Sequence, residues 1–317
     1  MKSPLISARK LRFGAVIAFL ITFCSATPTK AQLQFTENLY ATIDNSLVHF
    51  GFTSTTFTTV GTFSPGLKPL GKLTWHINAN LFLGIANYDS APKLVSIDRS
   101  NAVVNVIAPL TLAPNNTAIQ AAQGLAYNRA SGVLYGVVDT LTNSAARILV
   151  TIDPNSGVAT KVADISGTCQ NDIDGMAFGN GLLHALDACA NPNTLYSIDI
   201  NTGAATILSN TTVSGDSDLS YEIFFNRLIG HTTNRQFVQY NYPPSPFNPS
   251  IFGPTHTAAD FNGVLIDGLA YAVPPPVTSP VPTLSQWGLI LLGLSVMCLG
   301  AIRMFRMRYG KMETEVG

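Results

Sequence analysis

Short runs of apolar residues alternate with turn residues through the middle of the chain. Three of these runs share one pattern, in which an apolar strand ends in Asp and a turn leads into a second strand. They occupy residues 94–98, 149–153 and 195–199. The turns at 155–157 and 201–203 begin with Asn and end with Gly, residue types that accept the positive φ angles of hairpin turns. The pattern therefore predicts antiparallel β-hairpins.

A second motif recurs upstream of the hairpins. Its copies begin at Gly124, Gly175, Asp218 and Gly268, which are 51, 43 and 50 residues apart. Three copies read Gly, then Leu or Met, then Ala and an aromatic residue, whereas the copy at Asp218 is degenerate. Each unit contains four short strands separated by turn signals. Four strands at a period of about 40–50 residues are typical of a β-propeller blade, so the sequence predicts an all-β propeller.

The two ends of the repeat region complement each other. The last copy, 267–273, has a first strand followed only by three prolines, whereas the N-terminal stretch lacks a first strand. A C-terminal strand that completes the N-terminal blade would close the ring and leave no exposed sheet edge. The predicted blades are 38–64 with 267–273, then 71–112, 124–165, 175–209 and 218–260. This gives five blades, or six if the region 227–262 holds another, and a twisted β-sandwich is the alternative architecture.

The N-terminus has the layout of a secretory signal peptide. Four basic residues precede the apolar run 13–23, and Thr29 and Ala31 place small residues at positions −3 and −1 of a cleavage site. The apolar run is too short for a transmembrane helix, which needs about 20 residues. We predict a signal peptide at 1–31 and an exported propeller domain at 32–273.

The C-terminal region predicts a membrane anchor. An uncharged apolar segment, 288–302, precedes a basic cluster. The cluster contains Arg303, Arg306 and Arg308. Such a segment stops translocation and leaves the basic tail in the cytoplasm. We predict a Pro-rich, extended linker at 274–282, then the sorting motif, one transmembrane helix and a basic cytoplasmic tail at 283–317. The domain before them would be exported and held outside the inner membrane.

The start of this anchor carries a recognisable motif. It consists of Val281, Pro282, Thr283, Leu284, Ser285, Gln286, Trp287 and Gly288. With the apolar run and the Arg cluster behind it, the motif resembles the IPTL-CTERM sorting signal, with Val where Ile is usual and Gln where Glu is common. The resemblance implies a Gram-negative host, processing by an exosortase-type membrane protease, and a final location at the cell surface or outside the cell. It implies nothing about the exported domain.

Composition narrows the function classes of that domain. Residues 32–280 contain nine Lys and Arg against sixteen Asp and Glu, a net charge of about −7. An acidic domain without basic clusters argues against nucleic acid as a partner. The sequence has no P-loop, dinucleotide fingerprint or nucleophile elbow, so we predict no cofactor. Cys169 and Cys189 are the two cysteines left in an oxidising compartment, and we predict that they form a disulfide.

Candidate catalytic or metal-binding residues are few. Asp172 and Asp174 offer closely spaced oxygen ligands and are weak candidates for a metal, but no calcium-binding pattern accompanies them. His184 alternates with apolar neighbours and is predicted to be a core or channel residue. One Asp recurs at the same turn of three repeats, which indicates turn chemistry rather than catalysis. These residues are Asp98, Asp153 and Asp199.

Two functions are compatible with these features. The first is a sorted surface or extracellular-matrix protein whose propeller is a binding platform for a ligand that the sequence does not identify, and the absence of catalytic motifs favours it. The second is a secreted propeller lyase or hydrolase acting on glycans or lactones at the central channel. The second function requires acidic or basic side chains that converge on the channel, and sequence does not reveal convergence.

Overall fold

The structure, a computed structural model, divides the chain into two compact units, one ending at Val273 and one running from Pro274 to Gly317. The described residues are 38–50, 57–64, 66–67, 70–140, 147–167, 173–187, 193–210, 218–223, 226–231, 237–241, 249–252, 266–272 and 297. Among them, no helix has the length and apolar character needed to cross a membrane. The predicted signal peptide and linker lie outside the described residues, as does the predicted transmembrane segment apart from Met297.

The first unit is a five-bladed β-propeller whose blades each contain four antiparallel strands. Blade 1 contains β21 (Ile266–Tyr271), β1 (Leu39–Ile43), β2 (Ser46–Phe50) and β3 (Phe57–Thr62). Blade 2 contains β4 (Leu70–His76), β5 (Leu81–Ala86), β6 (Lys93–Ile97) and β7 (Val104–Pro109). Blade 3 contains β9 (Thr117–Asn128), β10 (Val133–Thr140), β11 (Ile148–Ile152) and β12 (Val158–Asp164).

The remaining two blades complete the ring. Blade 4 contains β13 (Ile173–Gly179), β14 (Leu182–Asp187), β15 (Thr194–Ile198) and β16 (Ala205–Asn210). Blade 5 contains β17 (Leu219–Glu222), β18 (Arg227–His231), β19 (Phe237–Asn241) and β20 (Pro249–Phe252). A two-residue strand, β8 (Thr111–Leu112), joins blade 3 by pairing with both β12 and β9. The prediction of five blades is confirmed.

The C-terminal strand closes the ring, as predicted. β21 is the innermost strand of blade 1 and pairs antiparallel with β1, with Leu269 opposite Ala41 and Tyr271 opposite Leu39. The pairing extends to Ala272, whose N–H donates to the carbonyl of Asn38 at 2.8 Å. The N-terminal blade therefore contains strands from both ends of the repeat region, and its inner edge is covered.

The turns between the third and fourth strands explain the repeated aspartates. Asp98 accepts hydrogen bonds from Ser100, and Asp153 accepts them from Asn155 and Ser156. In blade 4, Asp199 accepts two backbone hydrogen bonds, from residues 201 and 202. Each carboxylate thereby holds its own hairpin turn, and these hydrogen bonds lower the pKa of all three carboxyl groups. Their structural role is confirmed.

Five hydrophobic clusters hold the blades together, and each lies between two neighbouring blades. The cluster between blades 1 and 5 includes Phe50 and Phe237, whose rings meet edge to face with centroids 5.3 Å apart. The other four clusters fill the remaining blade junctions.

His184 is fully buried in β14, and burial lowers its pKa to about 4, so the imidazole is neutral. The expectation of a core histidine is confirmed.

Candidate functional site

The five innermost strands surround the central channel, and each contacts its two neighbours. They are β4, β9, β13, β17 and β21. Glycine permits this close approach, because a Cβ on Gly175 would lie 2.5 Å from the backbone nitrogen of Leu219, and one on Gly71 would lie 1.9 Å from the carbonyl oxygen of Asp267. Gly175 belongs to the repeated motif, so the motif marks a place where neighbouring blades come close, and Gly71 serves the same purpose one position before Lys72 in blade 2.

Neighbouring inner strands are linked by side chains that accept backbone hydrogen bonds. Thr74 of blade 2 accepts a bond from the N–H of Tyr127 at 3.0 Å. Ser220 of blade 5 does the same for the N–H of Tyr271 at 2.7 Å. Such bonds satisfy backbone groups that the innermost strand leaves without a ladder partner, and they explain why small hydroxyl residues occur at this position in blades 2 and 5.

A polar cluster lies at the start of the inner strands. Among the described residues, four of the five inner strands shift their pairing register with the second strand near this cluster, which is the mark of a β-bulge. The bulged positions carry Lys72, Gln123, Asp174 and Asp267. Bulges redirect side chains and are frequent beside functional sites. Here they place one polar residue from each of blades 1 to 4 at the same end of the channel.

Lys72 is the cation at the centre of this cluster. Its Nζ donates to the carbonyl of Asp174 at 2.8 Å and lies 4.0 Å from the carboxylate of the same residue. The same Nζ lies 5.2 Å from the ring centroid of Tyr88, within range of a cation–π contact. Lys72 is buried and has a φ of 54°, a conformation that is uncommon for a residue with a side chain and often found at functional sites.

Two carboxyl groups complete the cluster, that of Asp218, which is buried, and that of Asp267, which is partly buried. Asp218 accepts hydrogen bonds from the N–H groups of Leu219 at 2.9 Å and Leu269 at 2.6 Å, so it links blade 5 to the closing strand. Burial raises its pKa to about 7, although Lys72 and these hydrogen bonds favour the charged form. Asp267 accepts a hydrogen bond from the hydroxyl of Tyr88 at 3.1 Å, and burial raises its pKa to about 6.

The polar cluster has some, but not all, of the features of a general acid–base site. Carboxyl groups that titrate near neutral pH can exchange protons with a substrate. However, Asp218 is already engaged by two backbone N–H groups, and the Lys72 ammonium is bonded to a carbonyl. Within the described residues, no group of three or more His, Cys, Asp or Glu residues could hold a metal ion. The candidate metal residue Asp174 faces a lysine, and Asp172 lies outside the described residues.

The other end of the inner strands carries a ring of aromatic side chains, one per blade. The ring consists of Trp75, Tyr127, Phe178, Tyr221 and Tyr271. They stand about four residues beyond the bulge positions, or about 13 Å along a strand. Together they line a cavity of only about 20 Å³, which is room for about one water molecule. The aromatic ring therefore fills this end of the channel.

The site residues predicted from the sequence have different outcomes. The structure describes Asp174 and brings it beside Lys72. Cys169, Cys189 and the sorting motif lie outside the described residues, as does the Arg cluster, so these remain predictions. Sequence reasoning missed Lys72, Asp267 and the aromatic ring. The fourth position of the repeated motif gave a signal for the ring, because it is aromatic in every copy.

Comparison with known proteins agrees with this architecture. A propeller followed by a sorting signal defines a class of proteins that are exported and anchored by their C-terminus. The IPTL-CTERM motif matches residues 279–308 and implies processing by an exosortase-type membrane enzyme. A repeat of unknown function, DUF6923, matches residues 38–237. The chain belongs to the DUF6923 family.

One solved structure shares the fold at low sequence identity. A chain in the crystal structure of a nidogen/laminin complex matches with a TM-score of 0.53 and 10% identity, covering 75% of this chain and 98% of that one. TolB from Acinetobacter baumannii matches with a TM-score of 0.44 and 12% identity, covering 75% of this chain and 67% of that one. These likenesses concern the fold alone. No curated protein matches the chain significantly.

Proposed function

We propose that this chain is an exosortase-sorted surface or extracellular-matrix protein whose propeller is a binding platform. The observation that carries the proposal is the IPTL-CTERM motif at residues 279–308, which follows within a few residues of the strand that closes the ring at Tyr271. The signal peptide at 1–31 exports the chain, the propeller spans 32–273, residues 274–282 are a semi-rigid spacer, and residues 283–317 hold the protein in the inner membrane until it is processed.

The filled channel supports binding rather than catalysis as the role of the propeller. An enzyme that works in the channel needs space for its substrate, whereas the aromatic ring leaves about 20 Å³ at its end. The polar groups at the opposite end are occupied by hydrogen bonds within the protein, most clearly at Asp218. A rigid, closed ring of blades suits a platform that displays its loops and rims to a partner.

The sorting part of the proposal is tested by processing of the chain in a host that carries the cognate exosortase. The wild type is expected to reach the surface and to lose its C-terminal segment. Combining Pro282→Ala with Thr283→Ala is expected to keep the chain intact in the inner membrane, because these residues belong to the motif that the protease reads. Pro275→Ala, in the linker ahead of the motif, is the matched control and should be processed like the wild type. Peptide mass spectrometry of each fraction provides the measurement.

The outcome that contradicts sorting is recovery of surface protein whose peptides run intact through Met297. Equal processing of the motif variant and the wild type would contradict the role of the motif.

A secreted enzyme is the second candidate, and the observation that favours it is the pair of carboxyl groups with raised pKa. Asp267 titrates at about 6 and Asp218 at about 7, which suits proton transfer near neutral pH. The test is turnover of a panel of glycan and lactone substrates by the wild type and by Asp267→Asn. Turnover that the substitution abolishes would favour the enzyme over the platform.

A further inference from the structure

One arginine stands beside the aromatic ring, on the turn that follows the inner strand of blade 3. Asn128 holds this turn, because its side-chain oxygen accepts hydrogen bonds from the N–H groups of Ala130 at 3.0 Å and Ser131 at 3.3 Å. The carbonyl of Asn128 also accepts a bond from the N–H of Gly132 at 2.8 Å. The turn thereby fixes the backbone of Arg129, and its side chain lines the cavity beside the aromatic ring.

The guanidinium of Arg129 is only partly satisfied. Its Nη2 donates to the carbonyl of Tyr271 at 3.3 Å, whereas its Nη1 is shielded from solvent and has no hydrogen-bond acceptor among the described residues. In the part of the chain that the structure describes, no carboxylate pairs with this guanidinium. The titratable groups that interact with its charge are the hydroxyls of Tyr221 and Tyr271. Arginine stays protonated in proteins, so a shielded N–H without an acceptor is costly. The described residues supply no acceptor for this N–H group, so the position favours an acceptor from a ligand.

The shape of the site limits what that acceptor can be. The cavity has room for about one small polar atom, about 20 Å³, so it admits one oxygen of an anion. A carboxylate carries the charge that complements the guanidinium, and one of its oxygens can accept a hydrogen bond from Nη1. Trp75, Tyr127 and Tyr271 are buried, whereas Phe178 and Tyr221 are half-exposed. The two half-exposed rings offer flat apolar surface to the part of a ligand that stays outside the cavity.

We infer that Arg129 and the aromatic ring form a binding site for the carboxylate of a small organic acid. One oxygen of the carboxylate occupies the cavity against Nη1 of Arg129, and a flat apolar body lies against Phe178 and Tyr221. This site gives the platform a ligand chemistry, and in that respect it rests on the proposal that the propeller binds a ligand. It does not depend on sorting.

The site can be tested by tryptophan fluorescence, because Trp75 belongs to the aromatic ring. The chain has two tryptophans, Trp75 and Trp287, so the full chain carrying Trp287→Phe in mild detergent reports on Trp75 alone. The probes are phenylacetate and its neutral isostere phenylacetamide, each titrated at constant ionic strength. We expect a saturable response to phenylacetate and none to phenylacetamide, because only the acid supplies an acceptor with the charge that Arg129 needs.

Substitutions identify the residue that recognises the acid. Arg129→Gln is expected to weaken phenylacetate binding at least tenfold, and Arg129→Lys several-fold, since lysine keeps the charge but loses the fork. Lys161→Gln, which removes one exposed positive charge on the outer strand of blade 3, is the matched control and should bind like the parent. Circular dichroism melting of each variant verifies that it is folded, and the two probes compared on the parent protein test the site even if a variant does not fold.

Three results would overturn the inference. They are an equal response to acid and amide, phenylacetate binding that is unchanged in folded Arg129→Gln, and the absence of any saturable response, which would mean that water alone fills the cavity. None of these results bears on processing at the IPTL-CTERM motif. Failure of the carboxylate site and failure of the sorting proposal are therefore distinguishable.

Discussion

Asp218 should make the stability of the propeller depend on pH in a direction opposite to that of an ion-paired carboxylate. The group is buried, and its pKa in the folded state is raised from 3.8 to about 7. The folded protein therefore holds a proton that the unfolded chain has lost, over the interval between the two values. This contribution to stability is fully present below about pH 4 and is lost as the pH rises through about 7.

The size of the effect follows from the two pKa values. Each pKa unit corresponds to about 1.4 kcal/mol, so a rise from 3.8 to about 7 amounts to about 4 kcal/mol across the whole interval. Other groups titrate in the same range, namely Asp267 and the buried His184. The useful quantity is therefore the difference in the free energy of unfolding between the wild type and Asp218→Asn, in which contributions shared by both proteins largely cancel.

The assay is urea unfolding of the full chain in mild detergent, followed by circular dichroism at a series of pH values. Asparagine cannot reproduce both hydrogen bonds to Leu219 and Leu269, so the variant is expected to lose some stability at every pH. The informative quantity is therefore how the difference in the free energy of unfolding changes with pH. The free energy of unfolding of the variant, relative to the wild type, should rise by a few kcal/mol from about pH 4 to about pH 8. Asp164→Asn, at an exposed ion pair, is the control and should stay within about 1 kcal/mol of the wild type throughout. A difference for Asp218→Asn that does not change with pH would refute this reasoning.

Two further predictions concern residues outside the described part of the chain. Ile173 pairs with Asp187, and Asp187 pairs with Thr194, so the loops that contain Cys169 and Cys189 leave the same end of blade 4. We predict a disulfide between these cysteines, which non-reducing mass spectrometry would detect as a linked peptide. Its reduction should lower the stability of the propeller by about 3 kcal/mol. Free thiols at both positions in exported protein would contradict this prediction. Exported protein should also begin at Gln32, because the predicted signal peptide ends at Ala31, and N-terminal sequencing that finds residues 13–23 still attached would show that this segment is not removed.

The blade arrangement could be predicted from the sequence because it depends on local patterns. The turns between the third and fourth strands of blades 2, 3 and 4 are each held by an Asp within their own few residues, such as Asp153, and each blade repeats the same four-strand unit. Ring closure could be predicted as well, since a final copy with one strand and a first copy with three strands fit together in one sheet.

The polar cluster and the aromatic ring could not be predicted to the same extent, because they form between blades. Lys72 contacts Asp174 although the two are 102 residues apart, and Tyr88 contacts Asp267 across 179 residues. Blade 2 also departs from the repeated motif. Lys72 stands where the other copies have Gly or Asp, and Trp75 stands where they have a smaller aromatic residue. Its inner strand was therefore not recognised as a copy, and the fifth member of the ring was missed.

The central structural claim is that the strand just before the sorting region closes the propeller, and the stability of Leu269→Ala tests it most directly. Leu269 is fully buried on β21, packed in the cluster between blades 1 and 5. Truncating a buried leucine costs about 2–5 kcal/mol. Ile207→Ala, at a side chain 57% exposed on the outer strand of blade 4, should cost no more than about 0.5 kcal/mol. Urea unfolding of the two full-length variants should therefore separate them by at least about 1.5 kcal/mol. If residues 266–272 were a loose tail, Leu269→Ala would unfold at the same urea concentration as Ile207→Ala, and that result would contradict ring closure.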